Sequence, residues 1–364
     1  MPVLTSLSGA PRCIGRRAAL GGVLAGLVGT ALPIPAIART TPADVAAWNA
    51  FKDRFVSGGR IIDTGNANVS HSEGQGIGLL GAALTDDRAS FDRIYGWTRQ
   101  TLARPYDKLH AWRYQPNAAT PVGDLNNATD GDLLITLALF TAASRWDVPA
   151  YHRAAMDLSR DIAHGLVRET RAGTFLLPGM SGFSEGDTLT INPSYYIFPA
   201  LKQIALETRD PIWGRVEADG LALLHTAGFG RWKLPMDWLA VNAGGEISPA
   251  QKWPARFSFD AVRVPLYCCW SGLAHDPVVD AVQAFWSSQS KASIPAWTDV
   301  STGEMAPYRQ TAGMAAIRAY VTASRAPGDR AVAIPAMSAA TDYYSAALIL
   351  LVQLAIGTGN AQVA

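Results

Sequence analysis

Three carboxylates stand where acid and base chemistry can be assembled. Glu73 is the one acid in "SHSEGQGIGLL" (70–80), set among small and polar residues just before an apolar run. It reads either as a helix-start residue or as an acid within reach of a substrate. Asp130 and Asp132 fall in "NNATDGDLLITLALF" (126–140), where Thr129 followed three residues later by Asp132 has the form of a capping box. The cap and the helix dipole account for Asp132, but Asp130 is surplus to them and adjoins a glycine that admits a close approach to the backbone. Asp260 opens "DAVRVPLY" (260–267), and a simple N-cap explains it. Yet Arg263 lies three residues on, on the same helical face, and would keep Asp260 ionised, as a general base requires.

Helices must present these residues. After residue 40, apolar spacing predicts helices over 42–56, 74–84, 88–103, 131–145, 149–166, 194–207, 210–227, 235–242, 260–273, 276–289, 307–323 and 339–356. Strand-like alternation is scarce. Segments 131–145 and 339–356 are apolar nearly all round and read as buried, whereas 88–103 and 149–166 carry Arg, Asp and His on one face and read as covering helices. The pattern predicts an all-α fold with an inner ring of helices wrapped by an outer ring. No repeat of 30 to 45 residues points to a solenoid. The polar clusters 72–73, 126–132, 192–195 and 259–260 then sit at the starts of inner helices and converge at one mouth.

The 364 residues show no composition break, which predicts one large domain over 39–364. Before it, Arg16-Arg17, an apolar stretch over 18–32 and Ala36-Ile37-Ala38 have the form of an export signal over 1–38, with the Arg pair permitting the twin-arginine route. The apolar stretch is short for a membrane span. A periplasmic or secreted location follows, with no stable membrane insertion once the leader is removed. With 31 basic and 30 acidic residues and no basic block, nucleic-acid binding is not expected. Cys13 falls in the leader, and the adjacent Cys268 and Cys269 read as buried helix residues rather than a disulfide.

Together the acidic stretches resemble glycoside hydrolase family 8. "SHSEGQG" is similar to its S-E-G-x-G acid motif, "ATDGDLLITLALFTAASRW" to its A-[ST]-D-[AG]-D signature, "FDAVRVPLY" to its Y-D-A-x-R-x-P base motif, and "NPSYYIFP" to its N-P-S-Y segment. The matches come in the family's order and span about residues 45–355. The resemblance implies an (α/α)6 barrel and an inverting endo-β-1,4-glucanase, with Glu73 as general acid, Asp260 as general base and Asp130 as a sugar-binding carboxylate at the cleavage subsite. A base at this position goes with the branch rich in cellulases and chitosanases. Phe259 departs from the family's tyrosine and removes a hydroxyl beside the base.

Inversion requires a protonated acid and a water-activating carboxylate about 6.5–9.5 Å apart. An ionised Asp130 is expected to raise the pKa of Glu73 by like charge. The glycines beside Glu73 read as room for a polysaccharide to pass the backbone. Among 11 tryptophans, Trp112 in "HAWRY" corresponds to an aromatic sugar platform of the family, while Trp97, Trp213 and Trp286 read as core. Tyr195, Tyr344 and Arg263 are further substrate-binding residues by the same resemblance. No H-E-x-x-H, G-x-S-x-G or phosphate-binding loop is present, and "TDGDL" lacks the remaining ligands of a calcium loop, so no metal or organic cofactor is implied. The implied partner is a cellulose-like β-1,4-glucan, met by a monomer beside cellulose synthase machinery. A chitosanase or mixed-linkage glucanase with the same acid and base is the alternative within enzymes. A non-hydrolytic glucan-binding component of a synthesis complex is the alternative outside them.

Overall fold

The computed structural model describes residues 40–290, 293–326 and 332–359, and the leader read at 1–38 lies outside them. Eleven α-helices occur among the described residues: α1 Pro42–Phe55, α2 Ser72–Leu84, α3 Arg88–Thr101, α4 Thr129–Trp146, α5 Pro149–Leu166, α6 Phe198–Thr208, α7 Pro211–Thr226, α8 Arg263–Trp270, α9 Pro277–Ser288, α10 Ala312–Ser324 and α11 Tyr343–Gly359. Helices α2, α4, α6, α8, α10 and α11 touch one another in that cyclic order, α11 closing on α2. They are the inner ring. α4 is buried without interruption from Thr129 to Phe140, and α8 along its whole length, as helices without a solvent face must be. Helices α1, α3, α5, α7 and α9 lie outside. Where a sixth outer helix would come, between α10 and α11, the described residues hold the 3-10 turn Met337–Ala339 against α1 and α11.

The ends of the helices explain why the ring has one functional mouth. Outer helices α1, α3, α7 and α9 are closed by N-cap side chains of Thr41, Asp87, Asp210 and Asp276. Inner helices α2, α4, α6 and α8 begin without a side-chain cap. Their leading N–H groups are met by carbonyls of neighbouring loops and by the Asp130 carboxyl, and the positive dipole ends there favour carboxylates at that rim.

Several expected elements are corrected. Segment 235–242 is not a helix: Leu239–Val241 is a strand, paired antiparallel with Thr188–Ile191 on one side and Ile247–Pro249 on the other. Tertiary pairing overrides a helical spacing this short. The strands, two to four residues each, are too brief for alternation to show in sequence. Segment 194–207 divides into the 3-10 turn Pro193–Tyr195 and α6, because Pro199, without an N–H, fits only the first helical turn. The helix expected at 260–273 starts only at Arg263, which leaves Asp260 in the turn before it. Cys268 and Cys269 are buried and free in α8. Trp213 and Trp286 are core residues, but Trp97 is half-buried with its ring edge-on to Tyr114.

Candidate active site

Glu73 lies in the first turn of α2, whose start is held by the antiparallel pairs Ser70 with Tyr114 and His71 with Arg113 and by the Ser72 N–H donating to the Trp112 carbonyl at 3.0 Å. Asp130 lies in the first turn of α4. The two helices cross at glycines. A Cβ on Gly131 would stand 2.7 Å from the Glu73 nitrogen, and one on Gly76 would stand 2.6 Å from Leu134 Cβ. What approaches the backbone at these positions is the neighbouring helix, not a polysaccharide, and the closeness of α2 to α4 is what brings Glu73 to Asp130.

Arg263, the first residue of α8, joins the acids. Its Nη2 lies 2.9 Å from Asp260 Oδ1, 3.7 Å from Glu73 Oε1 and 3.8 Å from Asp130 Oδ2, and it donates to Ser194 Oγ at 3.0 Å. Side-chain exposure sorts the cluster into two layers: 27% for Glu73 and 28% for Asp260, but 6% for Asp130 and 5% for Arg263. Two accessible carboxyls therefore stand over a buried floor of one guanidinium and one carboxyl.

The floor determines the proton balance. Burial first, and then the charge of Glu73, push the Asp130 carboxyl well above the ordinary carboxylate range. Arg263 and the Gly131 N–H, which donates to Asp130 Oδ1 at 2.8 Å, oppose that rise without cancelling it. The expectation of an ionised Asp130 raising Glu73 is thus reversed, because Asp130 is the desolvated member of the pair. Burial alone would lower Arg263, but the charges of Glu73 and Asp260 hold its guanidinium even more firmly protonated.

Asp132 is structural by a route other than the expected one. Thr129 donates to the Leu177 carbonyl at 2.6 Å instead of capping α4. Asp132 accepts from the His110 backbone N–H at 3.0 Å and from Asn127 Nδ2 at 3.0 Å, and lies 2.9 Å from His110 Nδ1. The box fails because tertiary partners claim both side chains.

The aromatic residues divide. The Tyr195 hydroxyl is pushed well above its ordinary range, first by burial and then by the charges of Asp130 and Asp260, and the adjoining Ser194 accepts from Arg263. Tyr344 donates its hydroxyl to the Phe259 carbonyl and meets the Phe259 ring edge-on at 5.7 Å. Phe259 is 38% exposed next to Asp260. Trp112 is half-buried: its Nε1 donates to Asp124 Oδ2 at 2.7 Å, the His71 ring lies parallel at 6.1 Å and the Arg113 guanidinium sits 4.3 Å from the ring centre.

Sequence reasoning missed Asp237. One of its oxygens accepts from three backbone N–H groups of the turn carrying Asp260: Ala261 at 2.7 Å, and Ser258 and Asp260 at 3.2 Å each. Burial first, and then the charge of Asp260, raise the Asp237 carboxyl to about 7. It lay inside the segment read as a helix, and nothing in "PMDWL" marks a contact made more than twenty residues away. Ser194 was missed as well, although "NPSY" contains it. Trp238, stacked on Trp253 at 4.5 Å and on Phe183 at 5.8 Å, meets Tyr195 edge-on at 6.2 Å. Among the described residues, no group of three or more His, Cys, Asp or Glu is placed to hold a metal ion, and the cation between the carboxylates is Arg263.

The model of glycosyl hydrolases family 8 matches residues 27–358. A probable endoglucanase of Novacetimonas hansenii is 42% identical over 324 residues, 88% of this chain and 93% of its own. An endoglucanase of Cellulomonas uda is 42% identical over 273 residues, covering 75% and 76% of the two chains. The solved structure of an endo-β-1,4-glucanase from Acetobacter xylinum superposes with a TM-score of 0.81 at 42% identity, over 86% of this chain and 98% of that one.

Proposed function

Since the chain belongs to glycosyl hydrolases family 8, we propose that its two accessible carboxyls form the acid and base of an inverting endo-β-1,4-glucanase. The observation that carries this reading is the layering of the cluster, with Glu73 and Asp260 open to a substrate above buried Asp130 and Arg263. Glu73 donates its proton to the glycosidic oxygen as the bond to the anomeric carbon breaks. Asp260 takes a proton from the water that attacks that carbon from the opposite face. The negative charge of the base is balanced by Arg263, and Asp237 fixes the turn that aims it.

Tyr195 and Tyr344 are the sugar-binding side chains at the cleavage point, and Asp130 supports the acid from the buried floor beneath them, 3.8 Å from Arg263. The substrate is a cellulose-like glucan, and the enzyme acts outside the cytoplasm as a monomer on chains made by the cell's own cellulose synthase. Among the described residues no helix is long and apolar enough to cross a membrane.

The test incubates the protein and its Glu73→Gln variant with carboxymethyl-cellulose, chitosan and barley glucan, following anomers by NMR. Cleavage of carboxymethyl-cellulose with the α anomer appearing first is expected, and the variant should be silent. A β anomer appearing first rejects inversion, equal release by the variant rejects the assignment of Glu73, and cleavage of chitosan alone rejects the substrate.

A further inference from the structure

We propose that the glucan cleft continues past Trp112 into a second surface depression, where Tyr106 is the platform for an outlying glucosyl unit. The proposal rests on the glucanase reading above. The depression, of about 500 Å³, is lined by Arg104, Tyr106, Asp124, Asn126, Ser181 and Gly182 among others. Its size falls within the range of small-ligand sites, about 300–1,000 Å³.

Continuity with the acid is built into the backbone. The carbonyl of Trp112 fixes the start of α2 beside Glu73, its indole N–H is held by Asp124, and its backbone N–H donates to the Asn126 carbonyl at 2.9 Å. Asp124 and Asn126 are walls of the depression. One residue therefore separates the acid's support from this second site.

The walls are formed before any ligand arrives. The Arg104 side chain, 9% exposed, donates from Nε to Asp107 at 2.9 Å and from Nη1 to the Leu125 carbonyl. Asn126 and Ser181 exchange two hydrogen bonds, from Asn126 Nδ2 to the Ser181 carbonyl at 2.9 Å and from the Ser181 N–H to Asn126 Oδ1 at 3.1 Å. Above this rigid rim Tyr106 is 86% exposed, the most open of the large hydrophobic side chains. Its ring face is uncovered, whereas the Trp112 ring already meets an imidazole and a guanidinium.

The chemistry of the lining selects the ligand. A bare aromatic face next to carboxylate, amide and hydroxyl groups suits a neutral pyranose, whose C–H face stacks while its hydroxyls find polar partners. Asp124 repels an anion, and the polar rim gives an apolar ligand no enclosure.

The experiment compares the wild type, Tyr106→Ala and Tyr106→Phe on cello-oligosaccharides of three to six units. A parallel titration of cellohexaose into each form carrying Glu73→Gln uses calorimetry. Loss of the platform is expected to lower kcat/KM and affinity for cellohexaose about tenfold, with a far smaller change for cellotriose, and Tyr106→Phe should restore both. A loss that is the same at every chain length, or no loss in either readout, overturns the proposal. If the wild type cuts no glucan, the glucanase reading fails. The subsite then stands or falls on whether cellohexaose binding depends on Tyr106, and absence of that binding overturns it too.

Discussion

Replacing Arg263 by Met removes the one cation shared by three carboxylates while keeping an unbranched side chain of related length. With an effective dielectric of about 20, the Asp260 and Glu73 charges 2.9 and 3.7 Å from the guanidinium attract by about 4–6 kcal/mol each before desolvation is counted. Desolvation of a guanidinium buried to 5% exposure offsets much of this, and deleting one partner of a buried ion pair typically costs about 3–5 kcal/mol. That is a large share of the about 5–15 kcal/mol available to a folded domain, and it corresponds to a Tm lowered by about 5–10 °C at pH 7.

The pH dependence separates this cause from lost packing. Asp130, already raised above its unfolded value in the native protein, rises further when Arg263 is gone, since burial and the Glu73 charge are then opposed only by the Gly131 N–H. A raised folded pKa means stability present below the unfolded value, about 4, and lost as pH climbs through the folded value. The gap between wild type and Arg263→Met should therefore be smaller near pH 4 than at pH 7. Differential scanning calorimetry at the two pH values, with carboxymethyl-cellulose hydrolysis as the activity assay, measures both consequences. An Arg263→Lys control keeps the charge but not the fork, whose Nη1 donates to the Phe259 carbonyl while Nη2 reaches Asp260 and Ser194, so it should recover stability more than turnover. A variant that melts within 1–2 °C of the wild type at pH 7, or that loses the same stability at pH 4 and pH 7, would refute the ion-pair argument.

Two further predictions concern the buried acids. Asp130→Asn removes a carboxyl whose folded pKa is raised, so chemical denaturation should find it as stable as the wild type near pH 4 and more stable at pH 7, while kcat on carboxymethyl-cellulose falls about a hundredfold or more. Asp237→Ala strands three backbone donors of the turn carrying Asp260 and should lose about 1–3 kcal/mol together with a larger fall in kcat than rise in KM. Asp237→Asn keeps the accepting oxygen and should retain the fold. By removing a carboxyl raised to about 7 it should also flatten the loss of stability between pH 4 and 8, which urea titrations at several pH values would show.

How far the site was legible depends on the range of each interaction. Asp260 and Arg263 are three residues apart, and their ion pair was readable from spacing alone. Asp130 was set apart because a cap had no use for it, and the structure places it in the buried floor 3.8 Å from Arg263. The glycines near Glu73 were misread, since a small residue beside an acid looks the same whether a ligand or another helix lies against it. Only the Leu134 side chain and the Glu73 backbone, brought close by the crossing of α2 and α4, distinguish the two. Asp237 was invisible because its three donors belong to a turn twenty-odd residues downstream.

The sequence by itself determined the helical architecture and family, because apolar spacing over a dozen segments and four ordered motifs are local properties of the chain. It also determined which rim of the ring would gather the polar residues, since those at the starts of inner helices stand in the covalent order. The tertiary structure alone decided which of the carboxyls is buried. Desolvation depends on what covers a carboxyl, and Glu73 and Asp130, both in the first turn of an inner helix, differ because one faces the cleft and the other is roofed by its neighbours.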